Sequence, residues 1–445
     1  MRPVDIKSKS FDITNKLLGS GAFSHVKVAY LKGDKKPIAL KICSCNSEAE
    51  WLQSLNEICL LKKLAHENVA SIKKYEITRY DVLIGLDKGD ASLKQFIVEQ
   101  TDLMNYAIPI MSQLINGLNF IHRFKIVHGD IKPSNIIYML HQNKIHIQIV
   151  DFGLSHVAGR SNGPVREGDA GGTKTYLAPE RLSHSNYDES SDLFSAGIVF
   201  FEILFKKHPF FKEGHNYTEI MKSKPDPKFP LGYQSLVPKD WLILLCSMLS
   251  YNPGNRNEVR NNKLLETKFI ENVSIDHQTL AVQNISNVEA AEQCGNYSEA
   301  ALFLMEVCIN LEIACHETDN NNLITEFNAR ISSYRKKVLS LLHLSKNSFS
   351  QHDSLGGTGV HDEYYDYLME VTASTPNLKH YIEIGYTGEL YLKECKGDIA
   401  FRSFMDALQY LNTTMPSEPP GDRKTIIGKK MLQWTNIAET LKTNS

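Results

Sequence analysis

Two short segments place polar residues at a spacing suited to catalysis. The first, HGDIKPSN, contains Asp130, Lys132 and Asn135, and the second, IVDFG, presents Asp151 after an apolar run, 16 residues beyond Asn135. A carboxylate can accept a hydroxyl proton, a lysine can neutralise a transferred phosphoryl group, and amide and carboxylate oxygens can hold a metal ion. Phosphoryl transfer depends mainly on such positioning and charge neutralisation. A chance occurrence of both segments at this spacing is negligible.

An upstream segment, LGSGAFS at 18–24, lies between two strand patterns and contains Gly19 and Gly21. Without a Cβ, these glycines let backbone N–H groups approach a phosphate. Lys41 follows on the next predicted strand, and a lysine that faces a protein interior needs a counter-charge. Glu57, on the predicted helix after that strand, is the candidate partner. Taken alone, a two-glycine hairpin and a Lys–Glu pair on the surface are both common, so the catalytic segments give this interpretation its weight.

The elements that must position these residues divide into two layers. Residues 11–88 predict strands with alternating apolar residues, interrupted by one helix at 51–68. Residues 103–270 predict mostly helices, interrupted by a hairpin formed by IIYML and IHIQIVDFG. The fold class is therefore α+β, with a small β-rich lobe on a larger helical lobe.

By these motifs, the first 270 residues resemble a eukaryotic protein kinase domain. We set the boundaries of this domain at 8–270. The segment GGTKTYLAPE resembles the family pattern that ends in Ala-Pro-Glu, and SSDLFSAGIVFFEIL resembles the helix in which an aspartate, here Asp192, braces the catalytic loop. Arg256 resembles the arginine that pairs with the last residue of that pattern, here Glu180. Lys132 and Thr173 favour serine and threonine substrates over tyrosine, because in this family both contact the catalytic aspartate.

The resemblance implies ATP and Mg²⁺ as cofactors and assigns a role to each matching position. Asp130, Lys132, Lys41 and Glu57 would be catalytic, and Asn135 and Asp151 would hold the metal. The hinge between the lobes falls near 86–90. The implied nucleotide-binding residues are Leu18, Gly19, Ser20, Gly21, Ala22, Phe23, Ser24, Val26, Ala39, Lys41, Asp87 and Ile137.

Gly129 stands where the resemblance leads us to expect an arginine, which would bind a phosphate on the activation loop. The matching phosphothreonine place, three residues before Gly172, is occupied by Asp169. Both halves of this phosphate switch are missing, whereas the metal and phosphate ligands are retained. We therefore predict a kinase that is active without phosphorylation at that position. Ser161, Thr173 and Thr175 remain candidate modification sites. The opposing hypothesis is a pseudokinase scaffold.

From about residue 277 the sequence is dominated by helical periodicity. One apolar stripe is formed by Leu304, Val307, Cys308, Leu311 and Ala314. Two blocks, 277–344 and 375–445, share a diverged pattern that includes GNYSEA and GDIAFR, and the polar stretch 345–374 between them predicts a linker. In the second block we expect one stripe of Phe401, Met405, Leu408 and Leu411, and another that contains Trp434.

Both blocks resemble microtubule-interacting-and-trafficking (MIT) domains, which are three-helix bundles. A kinase domain followed by two such bundles resembles the shorter members of the ULK family of autophagy-related kinases. The resemblance implies protein substrates, recruitment through 277–445 by an autophagy adaptor or by ESCRT-III tail helices, and peripheral membrane association through these partners. A kinase of another family, with an unrelated helical dimerisation tail, remains the third hypothesis.

The composition narrows the functional class. The chain has 445 residues, a net charge of −2 and a pI of about 6.8, which gives no support for nucleic-acid or broad anionic-membrane binding. The N-terminus lacks the apolar core of a signal peptide, and the longest apolar stretch, 196–205, is about half of a membrane span. The eight cysteines are scattered, which favours thiols over a metal site. We therefore expect a cytoplasmic protein.

Overall fold

A computed structural model describes most of the chain. The described residues are 8–21, 24–158, 173–183, 188–211, 215–265, 276–352, 397–415, 422–443 and eight positions between 368 and 386. None of the helices in these ranges has the length and apolarity that crossing a bilayer requires.

The N-terminal lobe is an antiparallel sheet of five strands with the order β1-β2-β3-β5-β4. The strands predicted by the alternating pattern are present, and the structure adds their number and order. The strands are β1 (Phe11–Ser20), β2 (Ser24–Leu31), β3 (Pro37–Ser44), β4 (Ile72–Ile77) and β5 (Asp81–Asp87). Helix α1 (Glu48–Lys63) follows β3 and begins at a capping box, in which Ser47 and Glu50 each bond the other's backbone N–H. Leu55 and Ile58 of α1 are fully buried in the core of the lobe.

The second lobe is mainly helical and is built around α3 and the apolar helix α5, whose side chains are almost all buried. Its helices are α2 (Leu93–Glu99), α3 (Met104–Arg123), α4 (Pro179–Leu182), α5 (Ser190–Phe205), α6 (Tyr217–Lys222), α7 (Tyr233–Leu236), α8 (Lys239–Met248) and α9 (Pro253–Arg256). The short strands β6 (Ala91–Ser92), β7 (Ile126–Val127) and β10 (His156–Val157) border the site.

The predicted hairpin is present as β8 (Ile136–His141) and β9 (Lys144–Ile149). Gln142 and Asn143 join these strands with φ of +48° and +61°. Two successive positive φ angles match the twist of the flanking strands in a two-residue turn. Because the hairpin turns the chain back on itself, Asn135, which lies just before β8, comes close to Asp151, which lies just after β9.

Residues 277–352 form three helices, α10 (His277–Gln293), α11 (Tyr297–Glu317) and α12 (Asn321–His352). The whole predicted stripe of α11 is buried. Helix α12 continues through 345–352, so the predicted linker does not begin at 345. Its first eight residues extend the third helix instead, because SKNSFSQH contains no glycine or proline to end the helix.

The C-terminal block contains α13 (Gly397–Thr414) and α14 (Asp422–Thr443), which pack around the fully buried Trp434. Phe404 is fully buried, whereas Met405 is 46% exposed. The predicted stripe was therefore wrong at Met405, because the apolar face that meets Trp434 runs through Phe404, Ala407, Leu408 and Leu411. Most of the predicted linker lies outside the described residues.

Candidate active site

Lys41 lies at the centre of a buried charge cluster. Its Nζ is 2.6 Å from both carboxylate oxygens of Glu57 and 2.8 Å from Oδ1 of Asp151. Burial by itself lowers the pKa of Lys41, but the carboxylates of Asp151 and Glu57 outweigh it and hold that pKa well above its usual value. The predicted Lys41–Glu57 pair is present, and the ammonium group remains charged beside Asp151.

Helix α1 holds the segment after Asp151 with two side chains that sequence reasoning missed. Gln53 Nε2 donates to Gly153 O at 2.6 Å, and Asn56 Nδ2 donates to Ser155 O at 3.0 Å. Asp151 itself adopts the left-handed region with φ of +68°, an uncommon conformation for a non-glycine residue. The side chains of α1 therefore position both Lys41 and the backbone that carries Asp151.

Asp130 is 4% exposed and is held on one side only. Its Oδ2 accepts hydrogen bonds from Lys132 Nζ and Asn135 Nδ2, each at 2.8 Å. Its Oδ1 is buried and has no hydrogen-bond partner among the described residues. Burial raises the pKa of Asp130 above the usual aspartate value, and the charge of Lys132 partly opposes this rise. The result is a fixed carboxylate with one oxygen that no other described group engages.

Asp192, near the start of α5, braces the loop before Asp130 as the resemblance implies. Its carboxylate accepts N–H bonds from His128 at 2.8 Å and Gly129 at 2.9 Å, and it is 2.9 Å from His122 Nε2. Burial alone would raise the pKa of Asp192, but the hydrogen bond and charge of His122 lower it to about 2. The brace is therefore ionised throughout the physiological pH range.

The predicted phosphate-binding hairpin joins β1 and β2. Gly19 pairs with Val26, Ser20 pairs with His25, and Gly21 N donates to Ser24 O at 2.7 Å to close the turn. Leu18, at the end of β1, is 43% exposed. Ala22 and Phe23 lie outside the described residues.

Two of the predicted adenine-binding residues lie beside Lys41. Val26 pairs across the strands with Lys41, and Ala39 is two residues before Lys41 on β3, so all three share one face of the sheet. Ile137 of β8 packs under Gly89, where an added Cβ would lie 3.0 Å from the Cβ of Ile137. Asp87 ends β5, and its carboxylate is 2.7 Å from Lys73 Nζ.

The donor set fits one magnesium–nucleotide unit. Asn135 Nδ2 donates to both the main-chain oxygen and Oδ2 of Asp130, which directs its amide oxygen away from Asp130. Amide and carboxylate oxygens are suitable ligands for Mg²⁺, which usually completes its shell with phosphates and water. No cluster of three His, Cys, Asp or Glu side chains suited to a metal occurs among the described residues. Asn135 and Asp151 would hold the metal together with the phosphates of a bound nucleotide.

Two further features surround the catalytic loop. Arg256 is fully buried and forms a two-pronged pair with Glu180 at 2.6 and 3.1 Å, as predicted. Arg181, which follows Glu180 in the chain, donates from Nη1 to Gly129 O at 2.6 Å. Sequence reasoning missed this contact. Its only sequence signal is that it adjoins Ala-Pro-Glu. The predicted loop positions Ser161 and Asp169 lie outside the described residues.

Comparisons with known proteins agree with this geometry. The model of the family described as "protein kinase domain" matches residues 13–270. The chain is 31% identical over 263 residues to calcium-dependent protein kinase 5 of Plasmodium falciparum, covering 57% of this chain and 44% of that protein. It is 29% identical over 304 residues to calcium-dependent protein kinase 4 of Plasmodium berghei, covering 65% and 56%. The chain thus spans about half the length of these relatives.

Proposed function

The chain belongs to the protein kinase family, and we propose that it transfers the terminal phosphoryl group of ATP to serine and threonine residues of proteins. The arrangement of Asp130 carries this proposal. One carboxylate oxygen is held by Lys132 and Asn135, and the other is buried without a partner among the described residues. This is the acceptor that a substrate hydroxyl needs as it attacks. Magnesium-bound ATP supplies the phosphoryl group and neutralises its developing charge.

The contact between Lys132 and Asp130 supports serine and threonine as the accepting residues, on the family resemblance. Thr173, the second residue behind that expectation, begins the turn Thr173–Tyr176 that precedes α4. We further propose activity without an activation-loop phosphate, because Gly129 has no side chain with which to bind one.

The direct test is phosphate transfer from Mg-ATP to a mixed serine and threonine peptide library by the purified full chain. The protein is made in bacteria and treated with phosphatase, with Asp151→Asn as the inactive control. We expect the wild type to be active and the Asp151→Asn variant to be inactive. Binding of ATP without transfer by the wild type would replace the proposal with the pseudokinase scaffold. Activity that disappears with phosphatase treatment would contradict only independence from loop phosphorylation.

For its cellular role, we propose that the kinase acts in autophagy or ESCRT-linked membrane trafficking and is recruited from the cytoplasm through residues 277–445. The support is the resemblance of both blocks to MIT domains and the three helices of 277–352. Such bundles accept an amphipathic tail helix in a groove between two helices. One face of α11 already packs on α1, so a tail helix would use another face.

Recruitment is tested by measuring the binding of fluorescent ESCRT-III tail peptides and of autophagy adaptor fragments to the full chain. Scrambled peptides with the same composition serve as controls. Saturable binding that an alanine substitution of the peptide's apolar positions abolishes is the expected result. No binding to either class would remove the proposed recruitment and leave the kinase activity untouched.

A second candidate is a kinase of another family whose helical tail is unrelated to MIT domains. Both relatives are named calcium-dependent protein kinases, which favours this candidate. The same transfer assay with Ca²⁺ and with a Ca²⁺ chelator separates the two. A rate that requires Ca²⁺, together with no binding of tail peptides, would favour the second candidate.

A further inference from the structure

Arg181 takes a place beside the catalytic loop that a side chain at position 129 would otherwise fill. Its guanidinium is inside the protein, since Arg181 is only 5% exposed. A Cβ added to Gly129 would lie 3.0 Å from Nη1 of Arg181 and 3.2 Å from Leu154 O, and Gly129 has φ of +80°. Both the crowding and the backbone conformation disfavour any side chain at this position. Gly129 and Arg181 therefore form a matched pair.

The hydrogen bond from Arg181 acts on the peptide group that immediately precedes the catalytic aspartate. Arg181 Nη1 donates to Gly129 O at 2.6 Å, and Asp130 N lies 3.3 Å from His128 Nδ1. The carbonyl and the N–H of the Gly129–Asp130 peptide are thus both engaged. On the other side of Gly129, the N–H of Gly129 donates a hydrogen bond to the carboxylate of Asp192. The orientation of this peptide sets the direction in which the Asp130 side chain leaves the backbone.

The main chain at Arg181 is also held in place. It follows Glu180, whose carboxylate is held by the buried guanidinium of Arg256. A continuous set of bonds therefore runs from α9 through α4 to the catalytic loop, and it involves residues from outside the activation-loop segment 159–172.

We propose that Arg181 is a positioning residue that orients Asp130 from α4, in place of an arginine at position 129. This inference deepens the proposed kinase function and rests on it. A charge-assisted bond to a buried carbonyl is among the stronger hydrogen bonds in proteins. Its presence holds the catalytic loop in one arrangement without a phosphate on the activation loop.

The test compares Arg181→Met, Arg181→Lys and Gly129→Ala in the full chain, with Arg330→Met, at an exposed position of α12, as the matched control. We expect Arg181→Met to lower kcat at least tenfold while the KM for ATP changes less than twofold. Arg181→Lys should recover part of the loss, because an ammonium can donate one bond to Gly129 O. Gly129→Ala should lower kcat, and the double variant Gly129→Ala/Arg181→Met should lose less than the product of the two single losses, because it keeps the backbone strain at position 129 but no longer crowds Arg181.

Hydrogen exchange of the catalytic-loop peptide 126–137 gives a readout that does not require activity. Faster exchange in Arg181→Met and in Gly129→Ala, with a melting temperature close to the wild type, supports positioning. If the wild type transfers no phosphate, the kinase function fails and the exchange result alone decides the role of Arg181. A kcat within twofold of the wild type in Arg181→Met overturns the proposal. If Arg181→Met does not fold, Arg181→Lys and Gly129→Ala decide it by the same criteria.

A different observation carries a second inference, which concerns helix α11. Cys59 Sγ contacts Leu302 O at 3.5 Å, Lys62 Nζ is 2.7 Å from Glu306 Oε1, and Lys63 Nζ is 2.8 Å from Asn310 Oδ1. The three α1 residues lie three and four positions apart and share one face of that helix. Glu57 is two positions before Cys59, so it projects from about the opposite face.

Tyr75 extends the same contact onto the sheet, since its hydroxyl is 3.1 Å from both carboxylate oxygens of Glu299. Lys62 also lies 5.7 Å from the ring centroid of Phe303, which is a cation–π distance. Helix α1 is therefore enclosed between the charge cluster of Lys41 on one face and α11 on the other. A rotation of α1 that separates Glu57 from Lys41 would have to break the α11 contacts.

We infer that the first helical bundle holds α1 in the position that pairs Glu57 with Lys41. The test is a charge exchange in the full chain with Lys62→Glu, Glu306→Lys and the double variant. Each single change places like charges together, so we expect kcat to fall about three- to tenfold, with faster hydrogen exchange in α1. The double variant should return to within twofold of the wild type.

The exposed Lys222–Glu219 pair of α6 provides the control, in which Lys222→Glu should change neither kcat nor exchange. Single variants with wild-type kcat and wild-type exchange in α1 would overturn this inference. A rise in kcat would also overturn it, because it would mean that the bundle restrains the enzyme. If the wild type is inactive, exchange in α1 alone decides.

Discussion

At the scale of single residues, the site depends on how Asp130 is held. Its Oδ2 is fixed by Lys132 and Asn135, and its Oδ1 is directed into a buried space without a partner among the described residues. An unpaired buried carboxylate oxygen costs stability, as expected of a group kept for chemistry rather than for folding.

Removing the acceptor tests this role directly. Asparagine has the same shape but accepts no proton, so Asp130→Asn should lower kcat roughly 10²–10⁴-fold, the range expected for loss of a general base. ATP binding should remain within a few-fold of the wild type. Initial rates and calorimetric ATP binding measure both, with exposed Asp34→Asn as the control. An active Asp130→Asn enzyme would show that the aspartate does not accept the proton.

The acid limb of the pH–rate profile should report the protonation of Asp130. Burial raises the pKa of Asp130 and the charge of Lys132 lowers it, so kcat/KM should fall at a pH above the usual aspartate range. Lys132→Met removes the opposing charge, so the acid limb should move to higher pH besides lowering the rate. Profiles of both proteins from pH 4 to 9 measure the shift. An unchanged or lower midpoint in Lys132→Met would contradict this electrostatic assignment.

At the scale of elements, the Arg256–Glu180 pair ties α9 to α4. Arg256 is fully buried and Glu180 is largely buried, so neither charge is well solvated. Breaking a buried ion pair by removing one partner typically costs about 3–5 kcal/mol, because the remaining charge is uncompensated.

Arg256→Met should therefore lower the free energy of unfolding by about 3–5 kcal/mol, while Lys222→Met in the exposed pair of α6 should cost about 0–1 kcal/mol. Denaturant titration followed by circular dichroism measures both. Equal losses in the two variants would mean that burial does not strengthen the Arg256–Glu180 pair.

Glu202 of α5 gives the helical lobe a pH-dependent stability. Burial raises its pKa from 4.5 to about 7, although the Tyr176 hydroxyl, which donates to it at 2.9 Å, opposes this rise. The raised pKa means that protonated Glu202 favours folding below pH 4.5 and that this contribution is lost as the pH rises through 7. Glu202→Gln should therefore raise the melting temperature above pH 7 and have little effect near pH 4.5. A difference that grows toward low pH would contradict the assignment.

At the scale of the molecule, the kinase domain and the first bundle share one hydrophobic core. Leu302, Ala301 and Cys59 are all 2% exposed or less and belong to the same buried cluster. The Met1–Leu342 segment is correspondingly one compact unit. A fragment that ends before α10 would expose this surface of α1 to water.

A chain cut at 276 should therefore melt at a lower temperature and transfer phosphate more slowly than a chain cut at 352. Burial of apolar surface contributes about 25 cal/mol per Å², so even a modest interface is significant beside a typical domain stability. Thermal melting and initial rates of the two fragments measure this. Equal values would show that the bundle contributes nothing to the kinase domain.

Local patterns were sufficient to predict much of the fold and site. Strand alternation predicted the β-rich character of residues 11–88, helical periodicity predicted the helical character of the chain from about 277, and the β8–β9 hairpin followed from its two apolar runs. Roles for Lys41, Glu57, Asp130 and Asp151 could be proposed from the sequence because their chemistry depends on short spacings or on motifs that remain recognisable. The prediction that Met405 is buried failed because a helical pattern allows two neighbouring apolar faces, and only Trp434 selects between them.

The tertiary structure alone decided the features that depend on contacts distant in sequence. Arg181 and Gly129 are 52 residues apart, and no local period relates them. Cys59 and Leu302 are 243 residues apart. The amphipathic pattern of α11 does not determine which helix α11 packs against. Local sequence limits the backbone conformations that each segment can adopt. The choice of partner is instead set by shape and charge across surfaces that exist only after the chain has folded.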